Sequence, residues 1–319
     1  MRAAILDGYG AIESLRIGEI EPPKVADRTI LVRVCAASVN PADLKVISGK
    51  DGGGFLHAKN FPTAIGFDFS GVVEQVGANV QGRAVGDEVF GHLAYSPSSK
   101  QGSFAELVAV KPDAVGIKPP GVRHEDAAAA ATVGCTALQG LRDRGRLKSG
   151  QRVFVNGASG GVGSYAVQIA AALGADVTGS ASAAKASFVH SLGVERVIDY
   201  RETPLSSLNE TFDVFFDAAS MSSFGEAKRL LNRGGAYVTL LPSASVFGAM
   251  VLSLFSSKRC GFVTVRSRAA DLDQLASWVV SGALNTSVEE IFPLSDIHTA
   301  LSALDSGRVR GKLAVRIEE

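Results

Sequence analysis

"VFVNGASGGVGSYAVQIAAALGADVTGSAS", Val153 to Ser182, is the stretch that decides the fold. A short apolar run enters a cluster of glycines, an apolar-periodic helix follows over Ser164–Leu173, and a second short run ends in small polar residues. Gly157, Gly160 and Gly163 fall at steps of three, with Gly161 extra. Glycine lets a backbone turn tightly and come close to a pyrophosphate, and the last of the series lets helix pack on strand. Free N–H groups and the positive end of the helix dipole then hold the anion, so Ser159, Gly160, Gly161 and Val162 read as cofactor-binding. A plain strand-to-helix connection without a ligand does not need four glycines and a serine within eight residues.

Outward from this turn, "RVFVNG", "DVTGS", "RVIDY", "FDVFFDAA" and "AYVTLL" are short strands separated by helical patterns. That is the βαβ rhythm of a doubly wound parallel sheet, and the chain reads as α/β. Upstream, residues 1 to about 120 are β-rich: "TILVRVCAASVN", "SGVVEQVGANV" and "FAELVAV" are runs separated by Gly/Pro turns. "DGGGFLHAKNFP" reads as a mobile, glycine-opened loop, and an alanine-rich helix spans Glu125–Gly140. Downstream of "CGFVTVR" come a helix (Ala269–Ser281), a strand ("SVEEIFP"), a helix (Ser295–Leu304) and a closing strand, "GKLAVRI". A six-stranded nucleotide sheet is complete before that point, so the closing strand is predicted to return to the first domain.

Composition bounds the function. The 319 residues suggest two domains. Lys plus Arg and Asp plus Glu are both 32, so no basic excess exists to hold a nucleic-acid backbone. Cys35, Cys135 and Cys260 lie far apart without a CxxC pair, which reads as small buried thiols in a reducing, cytoplasmic compartment. The opening "MRAAILDGYG" is too short an apolar stretch for a signal peptide. Gly234–Ser257 is 24 residues without a charge, but Pro242 and its serines break it into a strand and a short apolar helix rather than a membrane span.

The end of the second strand separates the two common dinucleotides. An NAD site usually offers an acid about 20 residues after the glycine turn, to the ribose 2′-OH. Here that place reads "VTGSASAAK": Ser180, Ser182 and Lys185, and no acid. Hydroxyls and an ammonium attract a 2′-phosphate that a carboxylate would repel, and Tyr200, ending "VIDY", adds a hydroxyl. NADPH is the cofactor this pattern predicts.

Seven stretches together carry a resemblance: "SVNPADLKVISG" (38–49), "GFDFSGVVEQVG" (66–77), "VGDEVFG" (85–91), "GSFAELVAV" (102–110), the glycine turn (156–170), "LGVERVIDY" (192–200) and "GKLAV" (311–315). Over essentially its whole length the chain resembles the medium-chain dehydrogenase/reductase superfamily, and within it the zinc-free quinone oxidoreductase branch. The resemblance implies a GroES-like catalytic domain from residues 1–120 and 268–319, a Rossmann domain over 121–267, and an active site in the cleft. At the positions where zinc-dependent relatives carry catalytic ligands stand Asn40, Phe67 and roughly Thr132, none a soft ligand. The five histidines have no paired spacing, and the four-cysteine structural lobe is missing. The expectation is a metal-free site.

Such a site runs hydride transfer when the acceptor is already electron-poor, as quinones and α,β-unsaturated carbonyls are. The resemblance puts Asn40 near the nicotinamide ribose or substrate carbonyl. Thr136 of "GCTALQG" and Val263 and Val265 of "GFVTV" stand at the nicotinamide end; Leu240 and Lys312 complete the cofactor set. Asp43 ties down the "NPAD" turn, with a general-acid role as its second reading. No tyrosine stands where many quinone reductases carry one, so the proton source is open. Three functions compete: an NADPH-dependent quinone reductase, an alkenal/enone C=C reductase on the same scaffold, and a non-catalytic, crystallin-like or regulatory NADPH-binding protein. A homodimer is predicted through the edge strand "CGFVTVR", burying the apolar Val246–Ser257 stretch; folding of that stretch over its own pocket as a lid is the alternative.

Overall fold

The computed structural model describes residues 1–57 and 60–317 and divides into two compact units. One is Met1–Thr132 with Arg266–Val280 and Thr286–Glu319; the other is Val133–Val265 with Ser281–Asn285. The first begins with β1 (Arg2–Leu6), β2 (Leu15–Glu19), β3 (Ile30–Ser38), α1 (Pro41–Ser48), α2 (Gly53–Leu56) and β4 (Thr63–Ala64). It continues through β5 (Asp68–Val76), β6 (Glu88–His92), β7 (Leu107–Val110), β8 (Val115–Ile117) and into α3 (His124–Leu138). β3 shows why such runs are strands: its side chains alternate between buried and half-buried until the last three all go inside. α1 is bounded by local chemistry, with Pro41 at its first turn and Gly49 left-handed (φ 66°) just past its end.

The second unit holds β9 (Arg152–Asn156), α4 (Gly161–Ala172), β10 (Asp176–Ala181), α5 (Ala183–Ser191) and β11 (Arg196–Asp199). β12 (Phe212–Asp217), α6 (Phe224–Arg229), β13 (Leu231–Thr239), α7 (Ala244–Ser253) and β14 (Arg259–Phe262) follow. The strands form one parallel sheet in the order β11-β10-β9-β12-β13-β14, that of a Rossmann sheet. Phe154, Phe212, Phe215 and Tyr237 pack on one another within it.

The tail supplies α8 (Ala269–Val280), β15 (Val288–Pro293), α9 (Ile297–Asp305) and β16 (Lys312–Arg316). β16 pairs antiparallel with β3, Ala314 opposite Ser38, so the closing strand does return to the first unit. The resulting sheet runs β15-β16-β3-β5-β6-β8, with β7 also on β3; β2-β1-β4 is a separate three-stranded sheet. The fold is the α/β, Rossmann-plus-GroES-like architecture that the sequence predicts.

Several local expectations change. The glycine helix starts at Gly161 rather than Ser164, because Gly160 is its cap and the turn glycines supply the first helical turn. α3 ends in a π-helical turn, Gln139–Arg144, where a Cβ on Gly140 would stand 2.4 Å from the Phe216 ring. The "DGGG" loop contains α2; Ala58 and Lys59 of that loop lie outside the described residues. Among the described residues no helix is long and apolar enough to cross a membrane.

Candidate functional site

At the head of the Rossmann sheet, Gly157 leaves β9 at φ 79°, a conformation that disfavours any side chain. Gly163 sits so close to that turn that a Cβ would lie 2.0 Å from the Gly157 carbonyl oxygen. A Cβ on Gly160 would meet only the Gly157 oxygen, at 3.6 Å, so the approach to the turn is open. Gly160 caps α4 without a side-chain hydrogen bond. The first-turn amides of Gly161, Val162 and Gly163 have no intrahelical partner by helix geometry. Open approach and unclaimed amides fit a pyrophosphate.

The turn is braced from β10. The Ser180 hydroxyl donates to Asn156 Oδ1 (2.7 Å) and accepts from the Gly157 N–H (3.0 Å), fully buried. Ser180 therefore shapes the turn. Ser182 caps α5, and its carbonyl accepts from the Lys185 N–H. Tyr200, just past β11, is half exposed, with the Arg201 guanidinium 5.8 Å from its ring centre. No acid ends β10, but one ends β11: Asp199 accepts from the Ala183 and Arg201 amides at 2.9 Å each.

At the C-terminal ends of β9 and β12 a second polar group forms that sequence reasoning missed. Asn156 donates to Asp217 Oδ1 (2.9 Å), and the Ser222 amide and Tyr237 phenol donate to Asp217 Oδ2 (2.8 and 3.1 Å). Burial, with the Asp217 carboxylate beside it, holds the Tyr237 phenol well above its ordinary range. β9 and β12 are neighbours where the strand order reverses, the place such sheets bind ligands. An acid inside the apolar run "FDVFFD" was the available signal. Thr136 on α3 and Val263 are buried in this unit, Val265 is half-buried, and the Leu240 amide donates to Ser220 Oγ (3.3 Å).

The first unit gathers Asn40, Asp43 and Lys312 around a residue that sequence reasoning passed over, Asp68. Ser38 Oγ donates to Asp68 Oδ2 at 2.6 Å and Asn40 Nδ2 at 2.8 Å, while the Thr132 amide (3.0 Å) and hydroxyl donate to Oδ1. The Lys312 ammonium donates to Asn40 Oδ1 (2.7 Å) and the Val39 carbonyl (2.8 Å) and lies 3.5 Å from Asp68. Asp43 accepts from the Asn40 amide at 2.6 Å, capping α1. All six side chains are buried. Burial pushes the Asp43 carboxyl up to about 8, with the Asp68 charge adding to it, and burial pulls the Lys312 ammonium down. Phe67 is buried here too, the half-buried Tyr95 ring edge-on to it at 4.6 Å.

Each of the five histidines bonds within the protein: His57, His92, His190 and His298 to carbonyl oxygens, His124 to Ser70 and Glu88. Among the described residues no three His, Cys, Asp or Glu are grouped to hold a metal ion.

Residues 26–121 match the alcohol dehydrogenase GroES-like domain, and residues 192–315 the model described as zinc-binding dehydrogenase. The chain is 34% identical to the trans-enoyl reductase pgmF of Aspergillus terreus, covering 91% of this chain and 86% of that one. It is 32% identical to the mouse (Mus musculus) mitochondrial NAD(P)H oxidoreductase RTN4IP1, covering 99% and 89%. The quinone oxidoreductase from Coxiella burnetii superposes with a TM-score of 0.89 at 29% identity, covering 100% and 99%.

Proposed function

The chain belongs to the medium-chain dehydrogenase/reductase superfamily, and from that premise we propose that it is an NADPH-dependent, zinc-independent reductase of quinones. The observation that carries the reading is the glycine turn, with its open approach and the unclaimed amides of Gly161, Val162 and Gly163. Those amides and Ser159 hold the pyrophosphate. Lys185 and Tyr200, with no acid at the end of β10, favour a 2′-phosphate over a bare ribose. When bound, the cofactor supplies a hydride. Thr136, Leu240, Val263 and Val265 of the second unit bind its nicotinamide end.

Asn40 and Asp43 act in the first unit by positioning. Both ends of the Asn40 amide are engaged, by Asp68 and Lys312, and Asp43 holds the Asn40 backbone. Lys312 serves that cluster, its ammonium bonded to Val39 and Asn40. A zinc ion has no soft ligand there, so the acceptor must be electron-poor on its own account. Quinones meet that condition, and the Coxiella neighbour is named for them. A second reading, reduction of a conjugated C=C bond, draws on the likeness to a trans-enoyl reductase. We further propose a cytoplasmic homodimer. The test is an acceptor panel with NADPH, comprising naphthoquinone, phenanthrenequinone, acrolein and a long-chain enal, beside elemental analysis of the protein used. Quinone turnover with substoichiometric zinc is expected. Enal turnover alone selects the second reading, and no turnover with any acceptor selects a non-catalytic NADPH-binding protein.

A further inference from the structure

The Asp68 cluster has the protons of Ser38, Asn40 and Thr132 all directed at one carboxylate. Lys312 is spent on Val39 and Asn40. A new oxygen arriving at this cluster therefore finds its donors already committed to a charged acceptor, the strongest kind of hydrogen bond they can make. Tyr95 is different. It comes from the loop after β6, its ring packs edge-on to Phe67, and it is half-buried where its neighbours are closed off. Its phenol lies within hydrogen-bonding reach of Thr132, whose own proton goes to Asp68.

We propose that Tyr95 is a catalytic hydrogen-bond donor, its phenol binding the acceptor oxygen on which negative charge develops. This rests on the reductase reading above. Hydride adds two electrons to the acceptor carbon, the displaced π pair moves to the carbonyl oxygen, and the Tyr95 O–H bonds to that oxygen without transferring its proton. A proton from water then completes the reduced product. Burial, with the Asp68 carboxylate adding to it, keeps the phenol above its ordinary range, so it stays a donor at every working pH. Thr132 positions it.

The first test needs no turnover. 4-Nitrophenol, an aryl oxide resembling a reduced quinone, is titrated into wild-type protein and Tyr95→Phe and followed by absorbance. Wild type is expected to bind it as the anion at least tenfold more tightly than Tyr95→Phe does; equal binding overturns the proposal. The second test is kinetic. Loss of one oxyanion donor costs on the order of a hundredfold in kcat. Tyr95→Phe should lose about that on an enal, whose enolate is strongly basic, and at least tenfold less on naphthoquinone, whose reduced anion is a weaker base. A defect of packing lowers both alike, and equal losses, or unchanged kcat on both, overturn the assignment. Thr132→Val is expected to share the bias towards the enal and Thr132→Ser to restore it. Wild type inactive on every acceptor would instead be a failure of the reductase reading.

Discussion

Asp43 spends one carboxylate oxygen on the Asn40 amide, and the other, buried, has no partner among the described residues. A buried carboxyl in that state is held protonated, and its folded-state value near 8 stands above the ordinary 3.8. The linkage sign follows. The group stabilises the fold fully below its unfolded value, and that contribution is lost as pH rises towards 8. Asp43→Asn, which can still accept from the Asn40 amide, should flatten the decline. Melting temperatures of the two proteins, compared from pH 4 to 8, should show the variant gaining on wild type across the window. A constant gap between them rules the buried proton out. At the other site, Lys185 bears on cofactor choice. Wild type should bind NADPH at least tenfold tighter than NADH, about 1.4 kcal/mol, and Lys185→Ala should lose most of that difference. Nicotinamide fluorescence titration reads both constants; equal affinities in wild type remove Lys185 and Tyr200 from the 2′-phosphate site.

The glycine turn works as an element because backbone meets backbone in it. Gly163→Ala would bring a Cβ to 2.0 Å from a carbonyl oxygen that no rotamer change can move. The strand-to-helix packing must open instead, at roughly 1–3 kcal/mol, with the amides displaced from the pyrophosphate. The variant is expected to unfold at lower denaturant and to bind NADPH at least tenfold more weakly; wild-type affinity would show that the amides do not carry the site. Elements such as this one were legible because their causes are local: periodicity and glycine at a forced turn. The edges of elements were less so. "CGFVTVR" reads as a strand to Arg266, but the ladder runs from Arg259 to Phe262 and the chain then leaves the sheet. Nothing in a β-branched run marks where its partner strand, β13, stops.

At the scale of the whole molecule the exposed surface around α7 stands out. No residue of α7 is buried, and Phe247, Val251, Leu252, Leu254 and Phe255 are all more than half exposed. Phe247 packs on Phe262 of β14, the unpaired edge of the sheet, so apolar surface and open backbone are continuous. A second copy pairing its own β14 across a two-fold axis would satisfy both. Light scattering is expected to give about twice 33.1 kDa. The informative substitution is set by register. The Val263 amide bonds inward to Thr239 (3.0 Å), so proline there would damage the subunit's own sheet. By strand alternation the Phe262 amide points outward, and Phe262→Pro should yield a folded monomer. A folded Phe262→Pro dimer places the interface elsewhere.

By itself the sequence determined the fold class, the glycine turn and the return of the closing strand to the first domain. Those follow from steric and hydrophobic patterns spanning at most a few turns of chain. Of the acid cluster it pointed to Asn40, Asp43, Thr132 and Lys312, but not to Asp68 at its centre. Only the tertiary structure brought Lys312 to Asn40 across 272 positions and Thr132 to Asp68 across 64, and placed Tyr95 beside them. The physical reason is that such a cluster is held by desolvation and by hydrogen bonds between strands and helices distant in the chain. Neither leaves a periodic trace in the order of the residues.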